Sequence, residues 1–168
     1  MAGQTPGSAG SGIKKIWATS LTETADYDKE GLGAIRIEGN KIYKWVKYDE
    51  GTATLDVVAG DFVNYVAATG YEANTVVADT ADADSTTPFG AGVIVADAIT
   101  ATDTYCWIQI KGSVTLSLDP TGTPSDSNAL VPSATDKAMA VATSSDVEHV
   151  CGHTIDDSEK LVYLDCPF

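Results

Sequence analysis

The chain has 168 residues, a formal charge of −14 at pH 7 and 43 % hydrophobic residues. That length suits one domain, or one domain with an arm, and excludes two full catalytic domains. The acidic balance disfavours nucleic acid and anionic membranes as partners, because both call for clustered Lys and Arg. Thr and Ala dominate the composition, and Val, Ile and Thr together outnumber Leu, Glu, Lys, Gln, Met and Arg. Such a balance favours strands.

Residues 1–12 are rich in Gly, Ser and Pro without an apolar period, which predicts an extended arm. They carry neither a basic n-region nor an apolar h-region, so no secretory signal is expected. The apolar-basic run Ile13, Lys14, Lys15, Ile16, Trp17 reads as a first strand or anchoring strip, and the acidic run Thr22 to Glu30 as a loop. We therefore expect an arm and anchoring segment over residues 1–30 and a single β-domain over 31–168.

From Leu32 the pattern sharpens. Ile35 to Glu38, the turn residues Gly39-Asn40, and Lys41 to Tyr48 predict a hairpin with a tight two-residue turn. Leu55 to Val66 reads as two short strands split at Gly60-Asp61, Ala78 to Pro88 as a surface loop, and Gly90 to Ile99 as a strand. The strongest alternation lies over Tyr105 to Leu118: Cys106, Ile108, Ile110, Val114, Leu116 and Leu118 face a core, and Gln109, Lys111, Ser113, Thr115 and Ser117 face water. Gly112 at its midpoint suggests a kink that lets one long strand serve two sheets or turn a barrel corner. Short strands follow at Ala129–Pro132, Ala138–Thr143, Val147–Ile155 and Lys160–Cys166. Strands separated by turn signals, with no amphipathic helix, predict an all-β fold: a β-sandwich or small β-barrel with an extended N-terminal arm.

The residues 1–47 hold seven of the ten basic residues and a net charge of +2, against −16 for residues 48–168. This asymmetry points the N-terminal third toward a partner or assembly, with solvated loops as the alternative. Tyr43, Trp45 and Tyr48 share a segment with Lys41, Lys44 and Lys47, an aromatic-plus-cation mix typical of interfaces. The expected contact surface is therefore Ile13, Lys14, Lys15, Ile16, Trp17, Lys41, Tyr43, Lys44, Trp45 and Lys47.

Reactive constellations are few. His149, Cys151 and His153 alternate, so on a strand they share a face, but residues ~6.6 Å apart rarely converge on one metal without a bend. A local apolar row of Val147, Cys151 and Ile155 is the simpler reading. Asp79, Asp82 and Asp84 lie in one loop without the Gly and distal Glu of a calcium loop. There is no nucleophile elbow, phosphate loop or His-Glu-x-x-His, so neither an enzyme nor a cofactor is expected. The three cysteines, Cys106, Cys151 and Cys166, have no CxxC spacing and read as reduced, buried thiols. No apolar stretch approaches the ~18 residues of a membrane span.

Gly33-Ala34-Ile35-Arg36 with Gly39-Asn40-Lys41-Ile42-Tyr43-Lys44-Trp45-Val46-Lys47, then Ala59-Gly60-Asp61-Phe62-Val63, Gly92-Val93, Tyr105-Cys106-Trp107-Ile108-Gln109-Ile110-Lys111-Gly112 and Val150-Cys151-Gly152-His153-Thr154 form a set. It resembles the small β-rich virion proteins of tailed bacteriophages, in particular capsid decoration (cement) proteins. The resemblance spans residues 31–168 through glycine and strand patterns. It implies a structural protein on the capsid exterior, made in the host bacterial cytoplasm, that binds the major capsid protein as a homo-oligomer, a trimer ahead of a dimer. It carries no catalytic residue. The alternative is a phage fibre or host-surface carbohydrate-binding module that uses Trp45 or Trp107.

Overall fold

The computed structural model describes residues 16–66, 70–83, 89–144 and 149–167. The fold is all-β. Its strands are β1 (Ile35–Glu38), β2 (Lys41–Asp49), β3 (Val57–Val58), β4 (Phe62–Tyr65), β5 (Thr75–Val77), β6 (Gly90–Ile94), β7 (Ala98–Ile99), β8 (Thr104–Thr115), β9 (Ala129–Pro132), β10 (Met139–Val141), β11 (Gly152–Asp156) and β12 (Leu161–Asp165). One four-residue helix, α1 (Gly70–Ala73), precedes β5.

Five strands close on themselves. β2 pairs with β5, β5 with β4, β4 with β6, β6 with β8, and β8 returns to β2 through seven register pairs from Ile42–Lys111 to Tyr48–Thr104. Closure removes the free edges such a sheet would otherwise expose. Of the two expected architectures the small barrel is thus the one formed. The far end of β8 leaves the ring and pairs with β12, which continues through β11 and β9 to β10 as an antiparallel wing.

Gly112 sits where β8 passes from β2 to β12. Its φ is +97°, and a Cβ there would lie 2.8 Å from the Asn40 carbonyl oxygen. A left-handed residue pressed against a neighbouring backbone must be glycine, so the kink read from sequence has a steric cause. The hairpin β1–β2 forms in the expected register, with Glu38 opposite Lys41 and Gly39 at φ +61°.

A single apolar core runs through ring and wing, from Val46, Tyr48 and Phe62 to Leu130, Met139, Val162 and Leu164. A second cluster lies on the outer face of β2 and β8: Tyr43, Trp45 and Trp107 with Ala25, against which Trp17, Leu21 and Ala34 pack. The first half of β8 therefore buries both faces. Trp107 and Gln109 are as closed off as Cys106 and Ile108, and the expected wet face holds only from Lys111 onward, where Lys111, Ser113 and Thr115 have solvent contact. Leu118, expected in the core, is exposed. The stretch from Ala78 is not all surface either, since Ala78, Asp79 and Ala83 are buried.

Candidate interaction surface

Residues 16–34 form a strap over the second cluster. Ala25 bridges to Tyr105 by two backbone hydrogen bonds. Trp17 meets Trp107 edge-on at 5.1 Å, and the Arg36 guanidinium lies 5.8 Å from both rings. Each buried indole N–H has a strap acceptor: Trp107 Nε1 donates to Thr19 Oγ1 and Trp45 Nε1 to Asp28 Oδ1, both at 2.9 Å. Asp28 also accepts from the Gly31 and Leu32 amides, and Glu30 Oε1 accepts from Thr19 N and Oγ1. Both indoles are thus satisfied, as burial of a polar handle demands.

This strap redistributes the expected contact residues. Ile13, Lys14 and Lys15 lie outside the described residues. Ile16 is 92 % exposed, and Trp17 is half-buried in the strap. Tyr43 and Trp45 point into the second cluster and have no side-chain surface to offer a partner. Trp107 is fully buried as well, so neither Trp45 nor Trp107 can stack on a sugar as the carbohydrate-binding alternative requires. Lys41 is half-buried, and Lys47 pairs with Asp103 at 2.6 Å, which raises the Lys47 pKa.

Lys44 points the other way. It is buried, its Nζ donates to Tyr65 Oη at 2.9 Å, and it lies 5.1 Å and 5.4 Å from the Tyr65 and Tyr71 ring centroids. Burial lowers its pKa. Two aromatic faces and a phenol oxygen hold the ammonium here, where a carboxylate would be the usual partner.

From Lys44 an aromatic stripe runs outward. Tyr65 meets Tyr71 at 5.1 Å, Tyr71 meets Phe89 at 6.2 Å, and Phe89 meets His149 at 6.3 Å. Tyr71 and Phe89 are 47 % and 53 % exposed. Phe89 and His149 also line a cavity of about 240 Å³, together with Val150, Cys151, Asp165 and Pro167. In the other direction, Ile35 and Ile37 of β1 lie opposite Lys44 and Ile42. Cross-strand partners share a face, so the stripe continues onto β1, where Ile37 is 68 % exposed. Exposed apolar side chains placed on one face on either side of Lys44 form a candidate interaction surface. Ile35, Ile37, Tyr71 and Phe89 escaped the reading of sequence. Ile35 and Ile37 alternate with Arg36 and Glu38 in a strand too short to bury them, and Tyr71 and Phe89 are lone rings in polar stretches.

The remaining candidates resolve into scaffolding. Asp79 and Asp82 accept backbone N–H bonds from Ala53, Ala81 and Thr52, which fixes the 51–54 turn and lowers the Asp82 pKa. Asp84 lies outside the described residues. His149, Cys151 and His153 do not converge: the buried Cys151 Sγ donates to the His149 carbonyl at 3.2 Å, and His153 is exposed on β11. Val147, placed in the same apolar row, lies outside the described residues, and Ile155 is exposed. Among the described residues no group of three or more His, Cys, Asp or Glu is placed to hold a metal. All three thiols are free and buried. Burial pushes the Cys106 thiol up to about 12, and the neighbouring Cys151 together with burial raises Cys166.

Compared with known proteins, the chain matches no family model, no curated protein and no solved structure.

Proposed function

We propose that the chain is a structural virion protein that decorates a phage capsid by binding the outer surface of the major capsid protein lattice. The observation that carries this reading is the exposed band of Ile35, Ile37, Tyr71 and Phe89, placed on a rigid closed barrel. Rigid elements hold such a band ready for a partner without ordering cost, which favours tight docking from a modest area. The acidic body supports it, since a net charge of −16 over residues 48–168 keeps crowded copies apart on a shell. The resemblance to decoration proteins supplies the partner. Action is by mass balance: a ligand that binds only the assembled lattice stabilises that state by RT ln(1 + [L]/Kd) per site, about 2.7 kcal/mol at a hundredfold excess over Kd.

The test is co-sedimentation of the purified chain with capsids that lack it. Saturable binding, weakened at least tenfold by Tyr71→Ala with Phe89→Ala, is the expected result. No binding to any capsid state, with saturable binding to host-surface glycans instead, would transfer the band to the fibre or carbohydrate-binding reading.

A further inference from the structure

β1 is a strand with one neighbour. Its inner edge pairs with β2, and among the described residues nothing pairs with its outer edge. A two-residue turn makes the flanking Glu38–Lys41 pair a hydrogen-bonded one, and Trp45 N donates to Ala34 O further along. The backbone groups of Ala34, Arg36 and Glu38 thus face β2. Those of Ile35 and Ile37 face outward, with no partner among the described residues, on a strand whose apolar side chains are exposed. An edge of this kind is a template for another strand.

The charges on β1 say which strand. Only registers that bring outward-facing residues together can form hydrogen bonds, and for β1 against an antiparallel copy of itself these are centred on Ile35, Arg36, Ile37 or Glu38. Centring on Ile35 sets Arg36 opposite Ala34 and Glu38 opposite Leu32, so it gains no charge pair. Centring on Arg36 sets arginine opposite arginine, and centring on Glu38 sets glutamate opposite glutamate; both are repulsive. Centring on Ile37 sets each Arg36 opposite the other copy's Glu38. Arg36 already holds its own Glu38 through Nε at 2.8 Å on one carboxylate oxygen, Oε1. Each Glu38 would then lie between two guanidinium groups.

We propose that β1 binds β1 of a second copy of this chain, antiparallel and centred on Ile37. Ile37 then exchanges both backbone hydrogen bonds with its counterpart, flanked on each side by an Arg36–Glu38 pair. The contact is isologous, with one patch used twice about a two-fold axis. It specifies a dimer, the second of the two oligomers expected, and it stands whether or not a capsid is the partner.

Sedimentation equilibrium of the full chain without capsids tests it, from micromolar to sub-millimolar concentration. The expected mass at the upper end is twice the 17.5 kDa of one chain. Ile37→Glu, at a 68 % exposed position, is expected to give the single-chain mass with an unchanged circular dichroism spectrum. Glu38→Arg, which opposes arginine to arginine, should raise the dimer Kd at least tenfold, and Arg36→Glu added to Glu38→Arg should restore it. A wild-type chain that stays at single-chain mass throughout, or an Ile37→Glu variant that still dimerises, overturns the proposal. A folded charge-swap variant no tighter than Glu38→Arg overturns the register.

Discussion

Trp45 shows how one side chain can be read correctly for type and wrongly for direction. Its neighbours Tyr43, Lys44 and Lys47 make an interface-like segment, and Trp45 does sit in a contact, but the partner is the chain's own strap. Of the covering residues 16–34, Trp17 was legible as part of an anchoring strip, but the acidic run Thr22 to Glu30, which supplies Ala25 and Asp28, reads as a loop and does not announce that it packs. Trp45→Ala should cost about 3–5 kcal/mol in denaturant unfolding, as expected for a fully buried ring. Ile16→Ala, at an exposed position, should stay within about 0.5 kcal/mol. Cys106 was legible as a buried thiol and carries a pH signature. Its thiol keeps its proton in the native state up to about 12, whereas an unfolded thiol loses it near ~8.5. Between those values the native state binds more protons than the unfolded one, so stability falls as pH rises through that window. In Cys106→Ala the alkaline decline should be shallower by up to about 1.4 kcal/mol per pH unit, read from denaturant midpoints at a series of pH values.

At the scale of elements, the hairpin, the break at Gly60 and the kink at Gly112 were all visible in sequence, because each rests on a local rule about left-handed glycine or strand alternation. Gly112→Ala should lose more than about 1 kcal/mol, since both its φ and the nearby Asn40 oxygen oppose a side chain. What was not visible is the closure of β2 on β8. It joins segments some sixty residues apart, and no local pattern specifies such a pairing; its trace was the apolar character of both faces of the first half of β8, which alternation alone reads as one dry side and one wet. The strap is the other non-local element. Deleting residues 1–30 should strip cover from Trp45 and Trp107, shift their fluorescence to longer wavelength and lower the unfolding midpoint. A truncation used to probe partner binding must therefore begin at Ile16 rather than at Gly31.

For the whole molecule, a main core with a second cluster on its outer face, a closed ring and a strongly acidic body carry Ile35, Ile37, Tyr71 and Phe89 at the surface. The all-β class was legible from the abundance of Thr, Val and Ile. The band was not, because Ile35, Ile37, Tyr71 and Phe89 come together only when β1 and β2 pair and α1 closes over Lys44. If the band docks on a capsid, occupancy must appear as stability of the shell. The most direct measurement is calorimetry of capsids lacking the protein, titrated with wild-type chain or with the Tyr71→Ala, Phe89→Ala double variant. A melting temperature that rises with wild-type occupancy and levels off at saturation, with little rise for the double variant, is the predicted result. A shell whose melting temperature is the same with and without saturating wild-type chain would contradict it.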